Sequence, residues 1–144
     1  MTVEIRRIGS ADTGLLDRIA EDVFDDEIDP EKLAAYLAAP LHLMVLAIDD
    51  GLVVGQTRGM VQRHPDKAAE LYIDNLGVTP DRQREKIATR LLDELTAWGL
   101  ENGCEGAWVA TETDNEPARA LYAGRGADPD TFVAYFYTLT PEAT

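Results

Sequence analysis

The stretch from Glu70 to Thr111 limits what this chain can become more than any other. "ELYIDNLGV" has the composition and apolar spacing of a strand, and Thr79-Pro80 ends it. From about Arg84 to Asn102 the residues Ile87, Leu91, Leu92, Leu95 and Trp98 fall at helical spacing, with Gly103 placed as a left-handed cap. "EGAWVAT" follows as another strand. A strand, a crossover helix and a strand imply parallel pairing, so at least part of the sheet is parallel.

The rest of the chain fits around that unit. "VEIRRI" alternates as a strand, and Ser10 is placed to cap a helix carrying Leu15, Leu16, Ile19 and Val23. Asp29 before Pro30 signals a second helix, "DPEKLAAYLAA", which Pro40 stops. "HLMVLAI", the turn "DDG" and "LVVGQTRGMVQ" read as a β-hairpin. "NEPARALYA" is a short helix ending near Gly124 or Gly126, and "TFVAYFYTL" a last strand. The expected fold is α/β in the order β-α-α-β-β-β-α-β-α-β: a mixed sheet with helices on both faces. With no internal repeat, low-complexity tract or linker, residues 1–144 are expected to form one domain.

The formal net charge of -14 argues against nucleic acid and anionic membrane surfaces, because both need a basic face for counterion release. A cationic partner is the natural complement, although acidic residues also serve solubility alone. The opening residues lack an apolar signal core and "LMVLAI" is too short to span a bilayer, so a cytoplasmic protein is expected. One cysteine, Cys104, and two distant histidines, His42 and His64, offer no metal-ligand set, and no metal is expected.

Against this acidic background, "RQREKIATRLL" crowds Arg82, Arg84, Lys86 and Arg90 toward the start of a helix. Cations there are unfavourable unless an anion arrives, because the helix N-terminus is already partly positive. A strand running through a tight turn into a helix is a common phosphate cradle. Surface pairing of these arginines with acids explains the cluster equally well.

The stretch from "YIDNLGVTPDRQREKIATRLL" to "DNEPARALYAGRGA" resembles the core of the GCN5-related N-acetyltransferase (GNAT) superfamily, and within it the small aminoglycoside 3-N-acetyltransferases and their relatives. The resemblance is strongest over residues 70 to 127. It implies acetyl-CoA as acyl donor, with its pyrophosphate on a loop of pattern [Q/R]-x-x-G-x-[G/A]. Here that loop is Gln83-Arg84-Glu85-Lys86-Ile87-Ala88, flanked by Arg82 and Thr89. Lys86 stands at the first glycine position, where a left-handed backbone costs a lysine ~1 to 2 kcal/mol. Either the backbone at Lys86 is right-handed and its ammonium supplements the anion site, or the loop is partly blocked. Glu85 would repel a pyrophosphate unless its side chain turns away.

By the same resemblance, the pantetheine arm pairs with the backbone of Leu76 and Val78 in a slot between "LYIDNLGV" and "GAWVAT", and Gly77 permits close approach. Alone, that glycine reads equally as a bulge. Tyr122 matches the family's tyrosine beside the sulfur, where a phenol can protonate the departing thiolate. Asn115 matches an asparagine that contacts the pantetheine amides; it is also a natural helix N-cap. Asp74 and Glu112 are the candidate bases for the amine, and Glu70, Asp74, Glu112 and Asp114 candidate ligands of an ammonium group. The acid-rich segment 21–31 is placed to form one wall of the acceptor site or to be a solvated connection.

These residues describe direct amine attack without an acyl-enzyme, since Cys104 has no histidine partner. The expected acceptor is a small aminoglycoside-like polyamine; a protein or peptide amine is the alternative. A non-catalytic module of the same fold, its donor site spoiled by Lys86 and Glu85, is the competing class. Relatives commonly dimerise through their last strands, and "FVAYFY" is compatible with a homodimer.

Overall fold

A computed structural model describes residues 2–140. The described chain falls into two compact units, one ending at Ala110 and one beginning at Thr111.

The first unit is a five-stranded sheet in the order β1 (Glu4–Ile8), β2 (His42–Asp49), β3 (Leu52–Gln62), β4 (Glu70–Val78), β5 (Gly106–Val109). Neighbours are antiparallel up to β4, and β5 joins β4 in parallel, as its crossover helix requires. The β2–β3 turn has Asp50 at φ 49 and Gly51 at φ 79, two successive left-handed residues that match the twist of a hairpin.

The crossover helix α2 (Ile87–Glu101) covers one face with Ile87, Leu91, Leu92 and Leu95, all buried. On the other face Ile8, Met44, Leu46, Ile48 and Val53 pack with Leu16, Val23 and Leu33. Leu33 comes from α1 (Pro30–Ala38), capped as its sequence predicts: the Asp29 carboxylate accepts from the N–H groups of Glu31 and Lys32 at 2.9 and 3.2 Å.

Three elements differ from the sequence reading. Residues Ser10–Asp17 form a 3-10 helix whose cap is Gly9, not Ser10; the Asp12 carboxylate takes the Gly9 N–H at 2.8 Å. The helix stops because the next backbone is used elsewhere: Ala20 N–H donates to Val53 O and Val53 N–H to Arg18 O, both at 2.9 Å. Pairing with the hairpin end outweighs an apolar helical pattern already weakened by Gly14. Second, α2 begins at Ile87 rather than Arg84, after a separate 3-10 turn over Pro80–Glu85. Third, the expected strand at "TFVAYFYTL" is irregular, because among the described residues its backbone finds no ladder partner.

In the second unit, α3 (Glu116–Gly124) begins at an Asn115 cap whose side chain accepts from Ala118 N–H at 3.2 Å. It ends before Gly126, a left-handed glycine at φ 88.

Candidate active site

Strand β4 changes character at Asp74. Arg58 is paired with Asn75 and Gly59 with Ile73, so Asp74 is an extra residue, a bulge. Pairing of β4 with β5 stops at the same level, at Ile73 and Val109. Beyond it, β4 continues to Val78 with no strand paired on its β5 side among the described residues. Thr79 N–H donates to Val54 O at 2.9 Å, and the alternation of an antiparallel ladder then turns Gly77 and Asn75 toward β3 and aims the backbone of Leu76 and Val78 at the open edge. The Val78 carbonyl already accepts from Gln83 Nε2 at 3.1 Å, which leaves the Val78 N–H and both backbone groups of Leu76.

Gly77 has a different job from the one expected. A Cβ there would lie 2.4 Å from Val23 O, so the close approach belongs to the chain's own backbone. Val23 O also accepts from Gln56 Nε2 at 3.1 Å. The same nitrogen donates to Asn75 Oδ1 at 2.7 Å, and Asn75 Nδ2 reaches Asp25 Oδ2 at 3.4 Å. One side of the acid-rich segment is therefore pinned to β4 beside the bulge. Its remaining acids, including Asp26 and Glu27, are exposed.

The turn after Val78 decides the question posed by Lys86. Lys86 sits at φ 62, ψ 22, left-handed, a conformation that favours glycine, so the right-handed alternative is excluded. A right-handed turn followed by a left-handed residue makes consecutive N–H groups converge into an anion-binding nest. The first bond of α2 runs from Arg90 N–H to Lys86 O, so Ile87, Ala88 and Thr89 have no N–H partner within the helix. Lys86→Gly is accordingly expected to raise stability by about 1 kcal/mol or less, relief of the left-handed strain being partly offset by glycine's extra unfolded-state freedom. Urea unfolding of both proteins checks this.

The four cations are not equivalent. Arg90 Nη2 donates to Val3 O at 2.9 Å, tying α2 to the N-terminal strand. Arg82 Nη1 meets Asp49 Oδ2 and its Nε meets Glu85 Oε2, each at 2.8 Å. Glu85 accepts from Arg82 Nε, and that hydrogen bond holds its carboxyl below the ordinary range. Arg84 and Lys86 make no ion pair among the described residues, and both are exposed. They are the cations left for an anion.

Near the bulge, the Asp74 carboxylate is half exposed, 3.8 Å from the Arg58 guanidinium, which also lies 5.8 Å from the Phe24 ring. Glu70 pairs with His64 at 2.8 Å. Tyr72 and Trp108, paired across β4 and β5, have ring centroids 4.4 Å apart, and the Trp108 indole N–H is taken by Gln62 Oε1 at 2.8 Å. The sequence reading missed Gln56, Arg58, Asp49 and this aromatic pair. Alternation of "LVVGQTRGMVQ" carries the one available signal, two polar residues, Gln56 and Arg58, on the same face of a strand.

In the second unit, Glu112 and Asp114 are exposed residues of the lead-in to α3, and the Glu112 carbonyl accepts from Asn115 N–H at 3.1 Å. Asn115 is occupied as the cap. Burial pushes the Tyr122 phenol up from its ordinary pKa. No group of three or more potential metal ligands occurs among the described residues. No helix among them is long and apolar enough to cross a membrane.

A sheet that opens at a bulge, with a strand edge running into a left-handed turn at the start of a helix, has the geometry by which an extended ligand can add as a further strand. The family model for the acetyltransferase (GNAT) family matches residues 13–127, most of the chain. The chain belongs to that family. It is 33% identical over 54 residues to the probable N-acetyltransferase HLS1 of Arabidopsis thaliana, a match covering 38% of this chain and 13% of that protein. Among solved structures, the fold is shared with an aminoglycoside acetyltransferase, meta-AAC0020, from an uncultured soil metagenomic sample: TM-score 0.82, 21% identity, 96% of this chain and 97% of that one. It is shared also with AAC(6')-Iy in complex with a CoA-S-monomethyl-acetylneamine bisubstrate analogue: TM-score 0.80, 16% identity, 97% and 100% covered.

Proposed function

We propose that this protein transfers an acetyl group from acetyl-CoA to a primary amine, with a small aminoglycoside-like polycation as acceptor. The observation that carries the donor half is the β4 edge, unpaired among the described residues, which leads through the left-handed Lys86 into the first turn of α2, with Arg84 and Lys86 exposed there. These residues fit the group: a pantetheine arm needs alternating donors and acceptors, and a pyrophosphate needs converging N–H groups and cations. Leu76 and Val78 would hold the arm, and residues 83 to 89 the phosphates. Acetyl-CoA supplies the activated acyl group.

The chain's own residues then divide the proton work. The Leu76 N–H, on the open edge, is positioned to polarise a carbonyl. Asp74, at the bulge, takes the proton of the attacking amine, with Glu112 the second candidate. Tyr122 donates to the departing thiolate; a raised phenol pKa keeps its proton in place at neutral pH. Attack is direct, since Cys104 is buried and burial raises its thiol pKa, which disfavours a nucleophilic thiolate. Tyr122→Phe is expected to lower kcat about 100-fold with little change in the Kd for acetyl-CoA, and to abolish the alkaline limb of the pH profile.

The acceptor half rests on charge. Asp74, Glu70 and the exposed acids of the 21–31 segment would attract a polyamine, with Glu112 and Asp114 as further ammonium ligands. The solved relatives named for an aminoglycoside support the same class. The two grounds for a non-catalytic module lose weight, since Lys86 adopts the glycine conformation and Glu85 is held by Arg82. We further propose that both units form one catalytic domain, which the family match through residue 127 supports. Calorimetric titration with acetyl-CoA followed by turnover assays on a panel of amines tests the reading. Micromolar donor binding with acetylation of polyamines is expected; donor binding with acetylation of peptides alone would replace the acceptor, and no donor binding would overturn the reading.

A further inference from the structure

A left-handed lysine persists only where its surroundings over-determine it. Three ties secure the start of the donor loop: Thr79 N–H to Val54 O at 2.9 Å, Arg82 N–H to Thr79 O at 3.0 Å and Gln83 Nε2 to Val78 O at 3.1 Å. None of these three reaches past Gln83, beyond which the 3-10 turn runs on to Glu85 and buried Ile87 opens α2. Among the described residues, the side-chain tie to Glu85, the residue before Lys86, is Arg82 Nε at 2.8 Å. Arg82 is in turn fixed by Asp49 at 2.8 Å, and both side chains of that pair are mostly shielded, at 16% and 21% exposure.

Asp49 is the last residue of β2, immediately before the tight Asp50-Gly51 turn, so it is a rigid anchor. The charge arithmetic is equally specific. Two carboxylates share one guanidinium, and drawing Arg82 onto a pyrophosphate would strip both of it, leaving Asp49 shielded and without that partner. Arg82 therefore stays where it is, and the anion is left to the nest, Arg84 and Lys86.

We propose that Asp49 and Arg82 are positioning residues of the donor site: through Glu85 they hold Lys86 left-handed, so that the N–H groups of residues 86 to 89 converge, and they touch no phosphate themselves. This rests on the donor reading above and gives Arg82 a different part from a phosphate ligand. It also extends the donor site to the β2–β3 hairpin, a part of the chain outside the family's loop pattern.

The test uses the full chain as wild type, Asp49→Asn, Lys86→Gly and the double variant. Two readouts are taken: coenzyme A affinity by calorimetry, and hydrogen exchange of the Arg90 amide in ligand-free protein. That amide donates to the Lys86 carbonyl at 3.1 Å and so reports the loop itself. Asp49→Asn is expected to weaken coenzyme A about tenfold and to speed Arg90 exchange by a similar factor. In the Lys86→Gly background both effects should shrink to about twofold, because glycine holds the left-handed turn unaided. A general loss of stability on removing the Asp49 charge would not show that dependence on residue 86. Equal effects in both backgrounds, or no effect of Asp49→Asn on exchange, overturn the proposal. An exchange effect that depends on Lys86 in a protein that does not bind coenzyme A would leave the brace standing and sink the donor reading instead.

Discussion

Gly77→Ala is expected to destabilise the protein by about 3 kcal/mol, a drop in melting temperature of roughly 10 °C. The added methyl would lie 2.4 Å from Val23 O, and a backbone carbonyl cannot step aside as a side chain can. Moving it breaks the bond from Gln56 Nε2, whose side chain is fully buried and whose Oε1 already lacks a partner. Phe24 and Asp25 move with it, so the acid-rich segment 21–31 should loosen together with the fold. Thermal unfolding of the variant measures the loss. An unchanged melting temperature with lost acetyl-CoA binding would return Gly77 to the donor site, where the family resemblance places it.

Asp74→Asn is expected to lower kcat for a polyamine about 100-fold or more while leaving the Kd for acetyl-CoA unchanged. The asparagine keeps the shape of the bulge and its place beside Arg58, but it cannot accept a proton from the amine. The deficit should narrow as pH rises, because a growing share of the amine arrives already deprotonated. Steady-state rates across pH, beside a Glu112→Gln variant, check this. A full loss in Glu112→Gln with Asp74→Asn near wild type would transfer the base to Glu112. A rise in the KM for the amine with no change in kcat would make Asp74 an ammonium ligand only.

Both expectations turn on β4, and β4 shows how far a sequence can be read. Its apolar spacing, Thr79-Pro80 after it and the helical pattern that follows are local signals, so the strand, the crossover and the parallel β5 were all legible. The bulge at Asp74 was not, because a bulge is a mismatch between two strands, and "ELYIDNLGV" contains only one of them. Gly77 was legible as a point of close approach, but not what approaches: Val23 lies 54 positions earlier in the chain, and nothing in its neighbours announces the contact.

The basic cluster divides the same way. Four cations at a helix start raised the anion site from residue type alone. Only the fold could sort them, because Arg90 is spent on the backbone of Val3 and Arg82 on Asp49, both distant in sequence. The early helix start at Arg84 failed for a related reason: helical periodicity ignores the sign of φ, and the left-handed turn at Lys86 leaves apolar spacing from Ile87 onward untouched. At the other end of the chain, "TFVAYFYTL" alternates like a strand, yet a strand exists only when a partner supplies the ladder.

What the sequence determined by itself were features carried by near neighbours: the Asp29-Pro30 helix start, the hairpin turn, the βαβ unit, the Gly103 cap at φ 84 and the motif that marks the family. Local dihedral preference and apolar period suffice for these. The tertiary structure decided which edge stays open, which carbonyl meets Gly77, which arginine is free and how a lysine comes to occupy a glycine's conformation. Each of those depends on contacts between residues far apart in the chain, and the energy of such contacts is set by geometry that no single segment contains.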